Sequence, residues 1–235
     1  MRRHHGALLG GVATIVLATG ALAADLPNQR PYHPVYKMPE MAPSFTWTGF
    51  YIGGNVGYGW SKGSGAITFG PNSGPYSGNG DGVLGGLQAG YNWQMDALVF
   101  GVETDIQASG GRGPVTGQAG PTTYAGTAKT PWFGTIRGRI GYAFDRTMLY
   151  ATGGAVYGKA KLDGVSSTLG PFSSSTTYWS WVLGGGVEHA IWDRWSTKLE
   201  YLYIGSPNRA PFPPNTAIDG RIRTHVLRAG VNYRF

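Results

Sequence analysis

Trp47-Thr48-Gly49-Phe50-Tyr51-Ile52-Gly53-Gly54-Asn55-Val56-Gly57-Tyr58-Gly59-Trp60 is the stretch whose reading decides the fold. Phe50, Ile52, Val56, Tyr58 and Trp60 fall on one parity, with Gly54 among them, while Tyr51, Gly53, Asn55, Gly57 and Gly59 take the other. A period of two belongs to a β-strand, whose successive side chains point to opposite faces. One face is large and apolar, the other small and polar.

The same contrast recurs along the chain. Val83, Leu87, Ala89, Tyr91 and Trp93 oppose Gly86, Gln88, Gly90, Asn92 and Gln94; Phe100, Val102, Thr104 and Ile106 oppose Gly101, Glu103, Asp105 and Gln107. Trp132, Ile136, Ile140 and Tyr142 oppose Thr135, Arg137 and Arg139, and a fifth run over 148–159 has Leu149, Ala151, Ala155 and Tyr157 as its better apolar set. Trp179, Trp181, Leu183 and Val187 oppose Tyr178, Ser180 and Glu188, and Trp195, Leu199, Tyr201 and Tyr203 oppose Lys198 and Glu200. Leu227, Ala229, Val231, Tyr233 and Phe235 close the series against Arg228, Asn232 and Arg234. Eight strands are predicted, each near the ~9–11 residues with which a tilted strand crosses a bilayer.

Connections alternate in length. Met95 to Ala97, Asp145-Arg146 and Trp192 to Arg194 read as tight turns, whereas 61–80, 110–128, 160–176 and 205–220 read as long loops of Gly, Pro, Ser, Thr and Asn. An even number of antiparallel strands, short turns on one rim and long loops on the other, is the layout of an all-β, eight-stranded up-and-down transmembrane barrel. A soluble eight-stranded barrel would also alternate, but it would have to house the Trp and Tyr rings inside. Here Trp60, Trp93, Trp132, Tyr142, Trp179 and Tyr233 lie at strand ends on the apolar face, as interfacial girdles require.

Composition agrees. Gly supplies 40 of 235 residues, aromatics 13% and charged residues only 13%, about half the globular ~25%. The mean hydropathy of −0.17 is too low for a bundle of membrane helices. With no Cys there is no disulfide framework and no thiolate metal site, and neither a metal nor a cofactor is expected. Arg2, Arg3, an apolar stretch from Ala7 to Leu17 and Ala21-Leu22-Ala23 have the layout of a signal peptide over residues 1–23. Residues 24–44, with Pro27, Pro31, Pro34, Pro39 and Pro43, read as an extended periplasmic tether, which leaves 45–235 for the barrel.

Trp47 to Asn55 after a Pro-rich tether, Phe100-Gly101-Val102-Glu103, Gly153-Gly154-Ala155-Val156-Tyr157-Gly158, Glu200-Tyr201-Leu202-Tyr203 and Asn232-Tyr233-Arg234-Phe235 occur in that order. In this the chain resembles the small alphaproteobacterial outer-membrane proteins, the surface-antigen and hemin-binding porin-family barrels, similar in architecture to the OmpA transmembrane domain and the opacity proteins. The resemblance implies an eight-stranded barrel, a surface role in the Gram-negative envelope and a C-terminal recognition signal for the insertion machinery at Leu227, Ala229, Val231, Tyr233 and Phe235. It names no loop ligand.

The polar parity carries four acids and four bases: Glu103, Asp105, Arg137, Arg139, Glu188, Lys198, Glu200 and Arg228. Eight strands leave an interior just wide enough for side chains to fill, and charges removed from water persist when paired. An internal ion-pair network sealing the barrel is therefore expected, with a narrow ion path as the alternative. The looped rim is basic: Lys62, Arg112, Lys129, Lys159, Lys161, Arg209, Arg221 and Arg223 face Asp81, Asp163 and Asp219. Lys159, Lys161, Arg221 and Arg223 are predicted to meet lipopolysaccharide phosphates. Nucleic acid is not an expected partner, because the bases behind the pI of 9.6 are dispersed.

Two further functions need particular residues. Hemin capture, known in relatives of the family, would use exposed Tyr76 and Tyr124 as axial ligands. Lipid A modification would need a nucleophile and a base within reach, and Thr224 beside His225 is the pair nearest the outer leaflet, although His225 reads more simply as a girdle residue.

Overall fold

A computed structural model describes residues 45–205, 209–212 and 216–235; the segments read as signal and tether lie outside the described residues. Regular structure there is all strand: β1 (Gly49–Phe69), β2 (Asn72–Met95), β3 (Leu98–Ala119), β4 (Thr122–Phe144), β5 (Thr147–Ser166), β6 (Gly170–Ala190), β7 (Trp195–Gly205), β8 (Arg209–Phe212) and β9 (Thr216–Arg234). Neighbours pair antiparallel in chain order from β1 to β7, β7 then pairs with β9, and β9 returns to β1 from Tyr51↔Arg234 to Phe69↔Thr216, closing the ring. Closure leaves no sheet edge at the level where lipid would meet the wall, the one way in which strands can cross a membrane. Eight staves form the barrel, with β8 a four-residue arm beside β9.

The outward face follows the predicted parity. On β3 it reads Phe100, Val102, Thr104, Ile106 and Ala108, and among the described residues no outward position between the two aromatic belts carries a charge. Near the short turns a belt forms from Phe50, Phe235, Tyr233 and Trp195, with ring centroids 5.1 to 5.7 Å apart, continued by Trp93 and Tyr142. A second belt runs through Trp132, Tyr157 and Trp179, then Trp181, Tyr203, His225 and Trp60. Tyr157 lies flat over Gly134, where an added Cβ would meet its ring at 2.5 Å, so this glycine is a shelf for the belt.

The four long loops are corrected. β1 and β2 stay paired out to Phe69↔Asn72, β3 and β4 to Ala119↔Thr122, and β5 and β6 to Ser166↔Gly170; β9 likewise runs beside β1 as far as Thr216. Residues 61–80, 110–128 and 160–176 are thus strand extensions with turns at 70–71, 120–121 and 167–169, and 205–220 contains β8 and the start of β9. Strand lengths change accordingly. β3 has 22 residues; at ~3.3 Å per residue and a tilt near ~40° such a strand rises about 55 Å, more than twice the ~25 Å of an apolar band. The prolines that read as loop punctuation, Pro75, Pro114 and Pro171, fall within paired stretches. Pro131, which has no N–H to offer, sits at a bulge opposite Ser109-Gly110, just beyond Trp132.

Polarity inverts along the staves that continue past the second belt. Between the belts the interior is polar. Beyond the second belt Ile67, Tyr76, Ala119 and Tyr124 pack inside with Val115 and Phe172, while Lys, Arg, Ser and Thr take most outward positions, Val165 excepted. An apolar layer of Leu84, Phe133, Val156, Val182, Leu202, Ile204 and Val226 divides the two regimes.

Candidate functional site

The interior between the belts holds all eight charges of the polar parity, each at most 5% exposed. They come from five different strands, because inward positions at one height are contributed by every stave. Arg137 on β4 reaches Glu200 at 3.0 Å and Asp105 at 3.1 Å, and also bonds Glu103. Lys198 Nζ lies 2.8 Å from Glu103, and Arg228 donates to Glu200 at 2.6 Å and Asp105 at 3.0 Å. Arg139 pairs with Glu188 at 3.0 Å, and its guanidinium stacks on Tyr51 and Tyr150, 4.8 and 5.3 Å from their ring centroids. The formal charge of the set is zero, and every carboxylate meets at least one base. Two guanidinium nitrogens, Arg139 Nη2 and Arg228 Nη1, have no hydrogen-bond acceptor among the described residues.

Residues that the sequence reading did not single out complete this layer. Tyr51 donates to Glu103 at 2.7 Å and Tyr150 to Glu200 at 2.9 Å. The side-chain amides of Asn55, Gln88 and Asn232 form a chain of hydrogen bonds, each donating to the next, that ends on the Glu188 carboxylate. Tyr51 shares the parity of Asn55, so alternation places it inside; which acid it would meet depends on a contact across 52 residues of chain. Gly90 makes room for it, since a Cβ there would stand 2.3 Å from the Tyr51 hydroxyl.

Both ends of the charged layer are capped. Trp47, 1% exposed, fills the short-turn end against Val99, Ala143, Met148, Tyr150 and Ala190, its indole donating to the Asp145 carbonyl at 3.2 Å. Nothing in the local alternation marks Trp47 as a plug, because it precedes the first strand. The apolar layer caps the other end, and above it lies a cavity of about 240 Å³ between that floor and Tyr76 and Val115.

The rim residues sort differently from the expectation. Arg221 and Arg223 stand on the outward face of β9, Arg223 directly opposite Lys62 and Arg221 opposite Ser64. Lys159 and Lys161 lie on another part of the wall, opposite Trp132 and Lys129. There Lys129 pairs with Asp163 at 3.0 Å, and hydrogen bonds from Ser173 and Lys129 hold the exposed Asp163 carboxyl below its ordinary pKa. Leu227, Ala229, Val231, Tyr233 and Phe235 all line the outward apolar face.

Two sets of candidates are corrected. Tyr76 and Tyr124 are 7% and 8% exposed inside the extended hairpins, not on an open loop, and burial pushes the Tyr76 hydroxyl up in pKa, against the phenolate a metal would bind. Thr224 and His225 point to opposite faces of β9; His225 stacks on Trp60 at 5.6 Å and bonds the Tyr201 hydroxyl at 2.5 Å within the belt. Adjacent residues on a strand cannot share a site on one face.

The family model for the outer membrane protein beta-barrel domain matches residues 15–235. The chain is 37% identical over 246 residues to the 31 kDa outer-membrane immunogenic protein of Brucella melitensis, covering 97% of this chain and 98% of that one. It is 29% identical over 235 residues to the 25 kDa outer-membrane immunogenic protein of Brucella abortus, over the whole of both chains. Among solved structures, Neisserial surface protein A is similar with a TM-score of 0.43 and 19% identity, over 80% of this chain and 98% of that one.

Proposed function

The chain belongs to the outer-membrane protein β-barrel family, and from that premise we propose that it is a sealed wall protein of the outer membrane, contributing to envelope integrity and presenting its extended hairpins outward, and not a pore. The observation that carries this reading is the filled interior: Trp47, then eight paired charges, then the apolar layer, stacked along the axis. An ion crossing it would have to break buried ion pairs whose loss costs several kcal/mol each. The relatives bear the description immunogenic, which fits hairpins reachable from outside. Leu227, Ala229, Val231, Tyr233 and Phe235, aligned on the lipid face, are in this reading the segment that the insertion machinery engages. The test is conductance of the refolded barrel in planar bilayers. A flat current trace is expected, and sustained, ion-selective steps contradict the reading.

A further inference from the structure

On the outer wall, just beyond the second aromatic belt, β1, β2, β3 and β9 enclose a groove of about 970 Å³. Among the described residues its cations are Lys62, Arg221 and Arg223 and its one acid is Asp219. Lys62 and Arg223 occupy directly opposed positions of paired strands, an arrangement that is destabilising for like charges unless an anion lies between them. No ion pair among the described residues engages any of the three. Ser64, Ser77 and Asn79 add neutral hydrogen-bonding groups to the lining.

The height of this groove selects its ligand. Lys62 follows Trp60, and Arg223 precedes His225, by one outward position each, and Trp60 and His225 stack in the belt. Two residues of strand are ~7 Å, so the cations stand where lipid headgroups begin. We propose that this groove binds the phosphorylated sugar headgroup of lipopolysaccharide in the outer leaflet, Lys62 and Arg223 sharing one phosphate and Arg221 holding the next group out. Arg offers a bidentate fork to phosphate and Lys a point charge. The second basic row of the wall, Arg112, Lys129 and Lys161, lies side by side on β3, β4 and β5 but has Asp81 opposite Arg112 and Asp163 bonded to Lys129. That row has one base bonded to an acid; among the described residues none of the groove's three cations has such a partner. This site lies outside the wall, so it stands whether or not the interior conducts.

The experiment compares the full chain, extracted from outer membranes in mild detergent, with K62Q/R221Q/R223Q and with the control K129Q/K161Q, measuring lipopolysaccharide retained per barrel. At ~1 kcal/mol per basic contact the triple variant is expected to lose at least about tenfold, and the control less than about twofold. Unchanged retention in the triple variant, or an equal loss in the control, overturns the proposal. Should the triple variant fail to insert, Arg223→Gln alone is expected to lower retention about fivefold, and an unchanged value overturns the proposal equally. A second arm offers the refolded barrel phosphorylated lipid A, dephosphorylated lipid A and inorganic phosphate. Retention of the first alone supports a glycolipid phosphate. Equal retention of the dephosphorylated form, or displacement of lipid A by equimolar inorganic phosphate, overturns it.

Discussion

The two halves of a single stave obey opposite rules. On β3, Val102 and Ile106 face outward while Glu103 and Asp105 are buried; a few residues later, beyond the bulge at Ser109-Gly110, Arg112 and Thr116 face outward while Val115 packs inside. Backbone pairing continues through the change. What changes is the medium: lipid surrounds the first half, so polar groups turn inward and must satisfy one another, whereas water surrounds the second, which builds an ordinary small apolar core. The barrel is thus a membrane protein and a soluble β-structure made from the same strands.

The largest expected break in this comparison comes from Glu103→Ala. Glu103 lies within 4 Å of Arg137, Lys198, Arg139 and Arg228. Its loss leaves buried bases short of a partner and is expected to cost about 3–5 kcal/mol, read as a lowered denaturant midpoint of the refolded barrel. An unchanged midpoint would mean that the interior charges are solvated.

A smaller break places one substitution in both regimes. Val102→Lys, between the belts, is expected to destabilise by about 2–4 kcal/mol, and Thr116→Lys, on the same face of the same strand, by less than about 0.5 kcal/mol. Equal effects would erase the boundary between the halves.

The smallest effect is a pH dependence confined to the outer half. Ser173 and Lys129 lower the pKa of Asp163 in the folded protein. Its contribution is complete above the unfolded carboxylate value of ~3.9 and is lost as pH falls through the lower, folded value. Amide exchange in the β4–β5 hairpin should therefore lose protection on acidification below about pH 4, and Asp163→Asn should abolish that loss. A pH response identical in the variant would assign it elsewhere.

The same contrast explains what was legible in the sequence. In 83–93 and 99–107 a strong difference between lipid and interior writes itself as large apolar against Gly, Gln, Asn, Glu and Asp, and strand, face and buried charges can all be read. In 110–128 the outward residues include Arg, Pro, Thr and Gln, the inward ones are Gly, Ala and Thr with Val115 and Tyr124, and the weak, inverted alternation is hidden by glycines and prolines that look like loop. Which acid meets which base was not legible either. Arg137 joins Glu200 across 63 residues because barrel closure brings β4 and β7 to face each other, and alternation specifies only that both point inward. Trp47, lying before the first strand, has no alternation to mark it.

Spin labels placed one at a time at Val102, Ile106, Arg112 and Thr116 of the bilayer-inserted barrel test the inversion most directly, through their relative accessibility to oxygen and to a water-soluble nickel complex. The account predicts that oxygen dominates at Val102 and Ile106 and nickel at Arg112 and Thr116, with the crossover at the Ser109-Gly110 bulge. Oxygen dominance persisting to Thr116, or nickel dominance already at Val102, would contradict it.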